Sequence, residues 1–113
     1  MSQMRLSPQG QKETIRQTTT DYKIMLPTDS EERKKIPLYS GLVKYFPDAL
    51  VAVAKVSYEG NEQHHAGTPV HWDRSKSTDE LDAMMRHVIE EDWAKVAWRA
   101  LAHLQKDLEC KRE

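Results

Sequence analysis

A chain of 113 residues, 38% apolar and 31% charged, is one domain at most, with little core to spare and much solvated surface. Its formal net charge of −1 gives no overall attraction to nucleic acid or anionic lipid, which argues against both as partners. No apolar run approaches the roughly 18 residues that span a bilayer, no apolar leader opens the sequence, and the lone cysteine, Cys110, leaves no internal disulfide and fits a reducing, cytosolic setting.

Residues 1–32 are rich in Gln, Thr, Ser and charge without a sustained apolar period, and read as a flexible or docking arm. Their one apolar cluster, Tyr22-Lys23-Ile24-Met25-Leu26, suits a short strand or a contact to another subunit. The basic run Arg33-Lys34-Lys35 leads into Ile36-Pro37-Leu38, an extended lead-in to a folded region over 33–113.

The first helix is expected from Pro47 to about Glu62. Pro47 suits the first helical position and Asp48 the positive end of the helix dipole. Phe46, Leu50, Val53 and Ser57 fall on one stripe, with Ala49 and Val56 beside it, and Gly60-Asn61 loosens the last turn. Residues 64–75 hold Gly67 and Pro69 and no helical period, so they read as a loop, long for a helix connection. Ser77-Thr78-Asp79-Glu80 has the form of a capping box that opens a second helix to about Glu90, with Leu81, Met84, Met85 and Val88 as its apolar face. Glu91-Asp92 opens a third helix, where Trp93, Val96, Ala97, Ala100, Leu101, Leu104 and Leu108 recur at three- and four-residue steps. No strand pattern of comparable strength follows residue 40, so the fold class is all-α. Three helices of this length bury a limited core, and oligomerisation to a dimer or tetramer is expected to complete it.

The residues with chemistry are acidic. Glu59 and Glu62 stand three apart at the end of the first helix, and Asp79 and Asp82 three apart at the start of the second. Residues i and i+3 share a helix face. Two antiparallel helices would lay the end of one beside the start of the other, and four carboxylates meeting there would repel without cations between them. Hard oxygen donors select Mg²⁺ or Mn²⁺ over Zn²⁺. The plain alternative is that such pairs are ordinary solvated helix faces.

From about Arg33 to Glu109 the sequence resembles the phage-type dATP/dGTP diphosphohydrolases, the MazZ-like branch of the MazG-type all-α nucleotide pyrophosphatases. The resemblance is carried by Pro37-Leu38-Tyr39-Ser40-Gly41, Tyr45-Phe46-Pro47-Asp48-Ala49-Leu50, Val56-Ser57-Tyr58-Glu59-Gly60-Asn61-Glu62, His71-Trp72, Lys76-Ser77-Thr78-Asp79, Met85-Arg86-His87 and Ala97-Trp98-Arg99-Ala100-Leu101. The superfamily's metal motif, Glu-x-x-Glu and then Glu-x-x-Asp after a loop, reads here Glu59-x-x-Glu62 and Asp79-x-x-Asp82. Asp79 replaces a Glu, a shorter reach that suits contact through water.

The resemblance implies a MazG-like helical bundle that hydrolyses a purine deoxynucleoside triphosphate (dGTP or dATP) to monophosphate and pyrophosphate, with Mg²⁺ or Mn²⁺, in phage nucleotide-pool remodelling. Glu59, Glu62, Asp79 and Asp82 would hold metal, with Glu59 or Glu62 also orienting the attacking water. Arg74, Lys76 and Arg86 are candidate phosphate contacts, Trp72 a candidate stacking surface for the purine, and Asn61 a candidate hydrogen-bond partner of base or sugar. Two rival readings are a histidine metal site from His64, His65, His71 and His87, and a non-catalytic helical interaction protein with a solvated acidic face.

Overall fold

The computed structural model describes residues 26–75 and 78–112. Lys76, Ser77 and most of the Tyr22–Leu26 cluster thus lie outside the described residues. The chain divides into two compact units with the boundary between Arg33 and Lys34. In the first, α1 (Ser30–Arg33) is a single turn. Asp29 starts it, its side chain accepting from the Glu32 amide at 3.1 Å, and the Arg33 guanidinium closes back on the Pro27 carbonyl at 2.8 Å.

The second unit opens on a π-helical turn, Tyr39–Val43. It follows the lead-in Ile36-Pro37-Leu38, and the amides of Val43 and Lys44 reach back five residues to the carbonyls of Leu38 and Tyr39 at 3.1 and 2.8 Å. Gly41 permits the turn, because a Cβ there would lie 2.9 Å from the Pro37 ring. Next comes α2 (Pro47–His65), with Pro47 in its first turn as expected. It runs three residues beyond the expected end. Gly60 lowers helix propensity by about 1 kcal/mol, too little to stop a helix fixed on both sides. The stop comes at Ala66 and Gly67, where Gly67 adopts φ 84 and the Thr68 amide and hydroxyl both donate to the His65 carbonyl, at 3.1 and 2.7 Å.

The helix α3 (Glu80–Ile89) starts later than expected, and the Ser77 end of the expected capping box lies outside the described residues. Asp79 is its N-cap residue but makes no side-chain cap bond. Glu80, expected to reach back to the cap, is buried and accepts from Lys106 Nζ at 2.9 Å instead. The carboxylate thus answers to a cation 26 residues away in a partly desolvated ion pair.

The turn into α4 (Trp93–Arg112) has the hydrogen bonds of a Schellman motif: Asp92 N–H to the His87 carbonyl and Glu91 N–H to the Val88 carbonyl, both 3.0 Å. Glu91 holds the left-handed position at φ 58, so it closes the preceding helix rather than opening α4. Asp92 does serve the start of α4, accepting from the Lys95 amide at 3.4 Å.

The fold is all-α: no strand occurs among the described residues, and no described helix is long and apolar enough to cross a membrane. The hub is α4, against which both α2 and α3 pack. Contact is closest where side chains are smallest, at Ala83 on α3 and Ala102 on α4, which are the buried apolar residues of the described chain. Many larger apolar side chains, including Tyr39, Val51, Met85, Ile89 and Leu101, stay exposed.

Candidate functional site

The last turns of α2 present Glu59 and Glu62 to solvent on either side of a buried Asn61. With only 4% of its surface exposed, Asn61 turns inward, and its Nδ2 donates to the Thr68 carbonyl at 2.9 Å. Its Oδ1 is buried without a partner. The sequence reading gave Asn61 to the substrate, whereas here it fastens the loop after α2 to the helix. Gly60 beside it meets no steric demand, since nothing lies within 4 Å of where a Cβ would stand.

That loop is tied to the helices at several points. His65 Nε2 lies 3.5 Å from Asp73 Oδ2, too long for a hydrogen bond, and its ring sits 4.7 Å from that of His71. Trp72 meets Trp98 edge to face at 5.7 Å between centroids, with the Arg74 guanidinium 4.3 Å from the Trp72 centroid and the Lys106 ammonium 5.6 Å from it. Trp98 in turn donates from Nε1 to Ser57 Oγ on α2 at 2.7 Å. Trp72 is therefore a plug over α4 in this arrangement rather than an open stacking surface. Arg74 pairs through both nitrogens with Glu109, Nη1 standing 3.2 Å from Oε2. That guanidinium and then the Gln105 amide hold the Glu109 carboxyl below its ordinary value.

Asp79 and Asp82 stand at the start of α3, exposed, in a shallow depression shared with Thr78, Leu81 and His103 of α4. Arg86 donates to Asp79 Oδ2 at 3.1 Å, and that bond is the main reason the Asp79 carboxyl lies below its ordinary value. Arg86 so occupies one of the acids expected to hold metal. Among the described residues no group of three or more His, Cys, Asp or Glu side chains is gathered to hold a metal ion. The pairs Glu59/Glu62 and Asp79/Asp82 therefore do not converge within one chain as the spacing led us to expect, and the histidines do not form a metal cluster either.

No described cation engages Glu59, Glu62 or Asp82, whereas Asp79, Glu80, Asp107 and Glu109 each hold a Lys or Arg within a few ångströms. Sequence reasoning missed Lys106, Trp98 and Ser57 as ties between elements. A serine on an otherwise apolar stripe of α2 was the one local signal, and the indole donor on α4 answers it. Comparison of the chain with known protein families, with characterised proteins and with solved structures finds no match among any of them.

Proposed function

We propose that this chain is a nucleotide pyrophosphohydrolase of the MazG-like kind, acting on a purine deoxynucleoside triphosphate, dGTP or dATP, in a phage-infected cytosol. The observation that carries the reading is that Glu59, Glu62 and Asp82 are exposed at the two acidic pairs and that no described cation pairs with them, whereas the fourth acid, Asp79, holds Arg86. Their oxygen donors are of the kind that Mg²⁺ or Mn²⁺ prefers. Within one described chain they are not gathered into a group of three or more.

The chain's own part in the reaction is proton handling and positioning. Glu59 or Glu62 accepts the proton of a water that attacks the α-phosphorus; the bond from that phosphorus to the bridging oxygen breaks, and pyrophosphate leaves beside the monophosphate. Arg86, exposed next to Asp79, is the described cation best placed to exchange its carboxylate for a phosphate oxygen. The working form is a homo-oligomer, dimer or tetramer.

A panel of the eight common nucleoside triphosphates with Mg²⁺ or Mn²⁺, with products separated by chromatography, tests this. Pyrophosphate and a purine deoxynucleoside monophosphate are expected, with turnover lost in Glu62→Gln and Asp82→Asn while helicity is kept. Wild-type rates in either variant remove that residue from the site. The breadth of exposed apolar surface favours one second reading, a non-catalytic helical interaction protein, for which no triphosphate is cleaved and Glu62→Gln is silent.

A further inference from the structure

Ala94, Ala97, Leu101, Leu104 and Leu108 of α4 follow one another at steps of three, four, three and four residues, the period of a coiled-coil seam. The neighbouring face of α4 is engaged within the chain: Trp98 bonds Ser57, Ala102 is buried, Lys106 pairs with Glu80 and Glu109 with Arg74. The seam is not. Leu101, Leu104 and Leu108 keep 52, 50 and 43% of their surface exposed, on one side of a groove whose other side is Val53 and Ala54 of α2.

We propose that this seam is where two copies of the chain join, α4 running antiparallel to α4 of the second copy about a two-fold axis. The inference rests on the homo-oligomer named above and gives it a surface; it does not depend on the reaction.

Three observations select a second copy as the occupant. The described residues bury only Ala83 and Ala102 as apolar core, so burial against a second copy would add substantially to it. The seam is also graded, with alanines towards the start of α4 and leucines towards its end. With the axis between residues 102 and 103, Ala97 faces the second copy's Leu108 and Leu101 faces its Leu104, so small meets large at the ends and the gap fills. Parallel pairing would set alanine against alanine and leave a void. Finally, the five seam positions carry no charge, and Asp107 at their edge is neutralised in its own helix by Lys111 at 2.8 Å. A surface without charge meets its own copy with no like-charge penalty.

The antiparallel arrangement keeps the two Cys110 residues far apart, about 22 Å along the helix axis at 1.5 Å per residue. Sedimentation equilibrium of the wild-type chain, of Leu104→Glu and of Met85→Glu (an exposed apolar position on α3) is the first test. The wild type and Met85→Glu are expected at the mass of an oligomer, and Leu104→Glu at half that mass or less. Since Leu104→Glu can also unfold, oxidation of a chain carrying Leu101→Cys, Leu104→Cys and Cys110→Ser decides the surface in the folded protein. A covalent dimer is expected there, and none from the wild type through Cys110. A folded wild-type monomer overturns the oligomer and the surface together. An oligomer that survives Leu104→Glu, fails to cross-link through the seam pair, or cross-links through Cys110 overturns the surface alone. Neither result touches pyrophosphate release, so failure of the catalytic reading is told apart.

Discussion

Lys106 on α4 joins α3 to the loop after α2. Its ammonium lies 2.9 Å from Glu80 Oε2 and 5.6 Å from the centre of the Trp72 ring. Burial is the largest single influence on the Glu80 carboxyl and pushes it up, but the bond from Lys106, aided by a backbone amide, outweighs burial and holds the group below its ordinary 4.5. A carboxyl lowered by folding contributes stability that is complete above its unfolded value and is lost as pH falls through the folded one. The wild type is therefore expected to weaken in acid below pH 4.5, in part through this pair. Lys106→Met should cost about 2 kcal/mol near neutrality, because it leaves a buried carboxylate unpaired. It should also shrink the loss of stability in acid that Glu80 contributes, since burial, which raises the carboxyl, is then opposed only by the backbone amide and the more distant Arg99 charge. Urea midpoints measured across pH for both chains check this. Parallel curves would show that the pair adds nothing.

At the scale of elements, the junction between α3 and α4 holds a residue in a conformation it does not favour. Glu91 stands at φ 58 in the position of a Schellman turn that glycine usually fills. The backbone clash of a Cβ there exceeds the entropy that glycine would lose, so Glu91→Gly is expected to raise stability by about 0.5–1 kcal/mol, read as a higher denaturation midpoint at unchanged helicity.

The same junction shows what was legible and why. The existence and type of the three long helices follow from apolar period, and Pro47 places the start of α2 because its effect is local. The α3–α4 turn carried no readable mark, since the residue that announces such a turn is absent. The start of α3 was misplaced because Glu80 answers to Lys106, and nothing within a window of a few residues reports a partner 26 positions away. The acids of the candidate site were legible as helix-face pairs. Their failure to meet within one chain was not, because spacing along one helix does not report how two helices pack.

For the whole molecule, the shortage of buried apolar surface governs behaviour. A described chain whose buried apolar residues are Ala83 and Ala102 has few of the contacts that usually offset chain entropy. If copies supply the missing burial, folding and association are one equilibrium, and the midpoint temperature is expected to rise with protein concentration; calorimetry over a hundredfold range of concentration checks it. A constant midpoint would mean that one chain is stable alone.

Trp72 lies in the loop, Glu80 on α3, and the ammonium beside both belongs to α4. Emission from that indole is therefore expected to shift as pH falls through the Glu80 carboxyl, an optical gauge of the charge balance at the start of α3 that fluorescence read across pH checks.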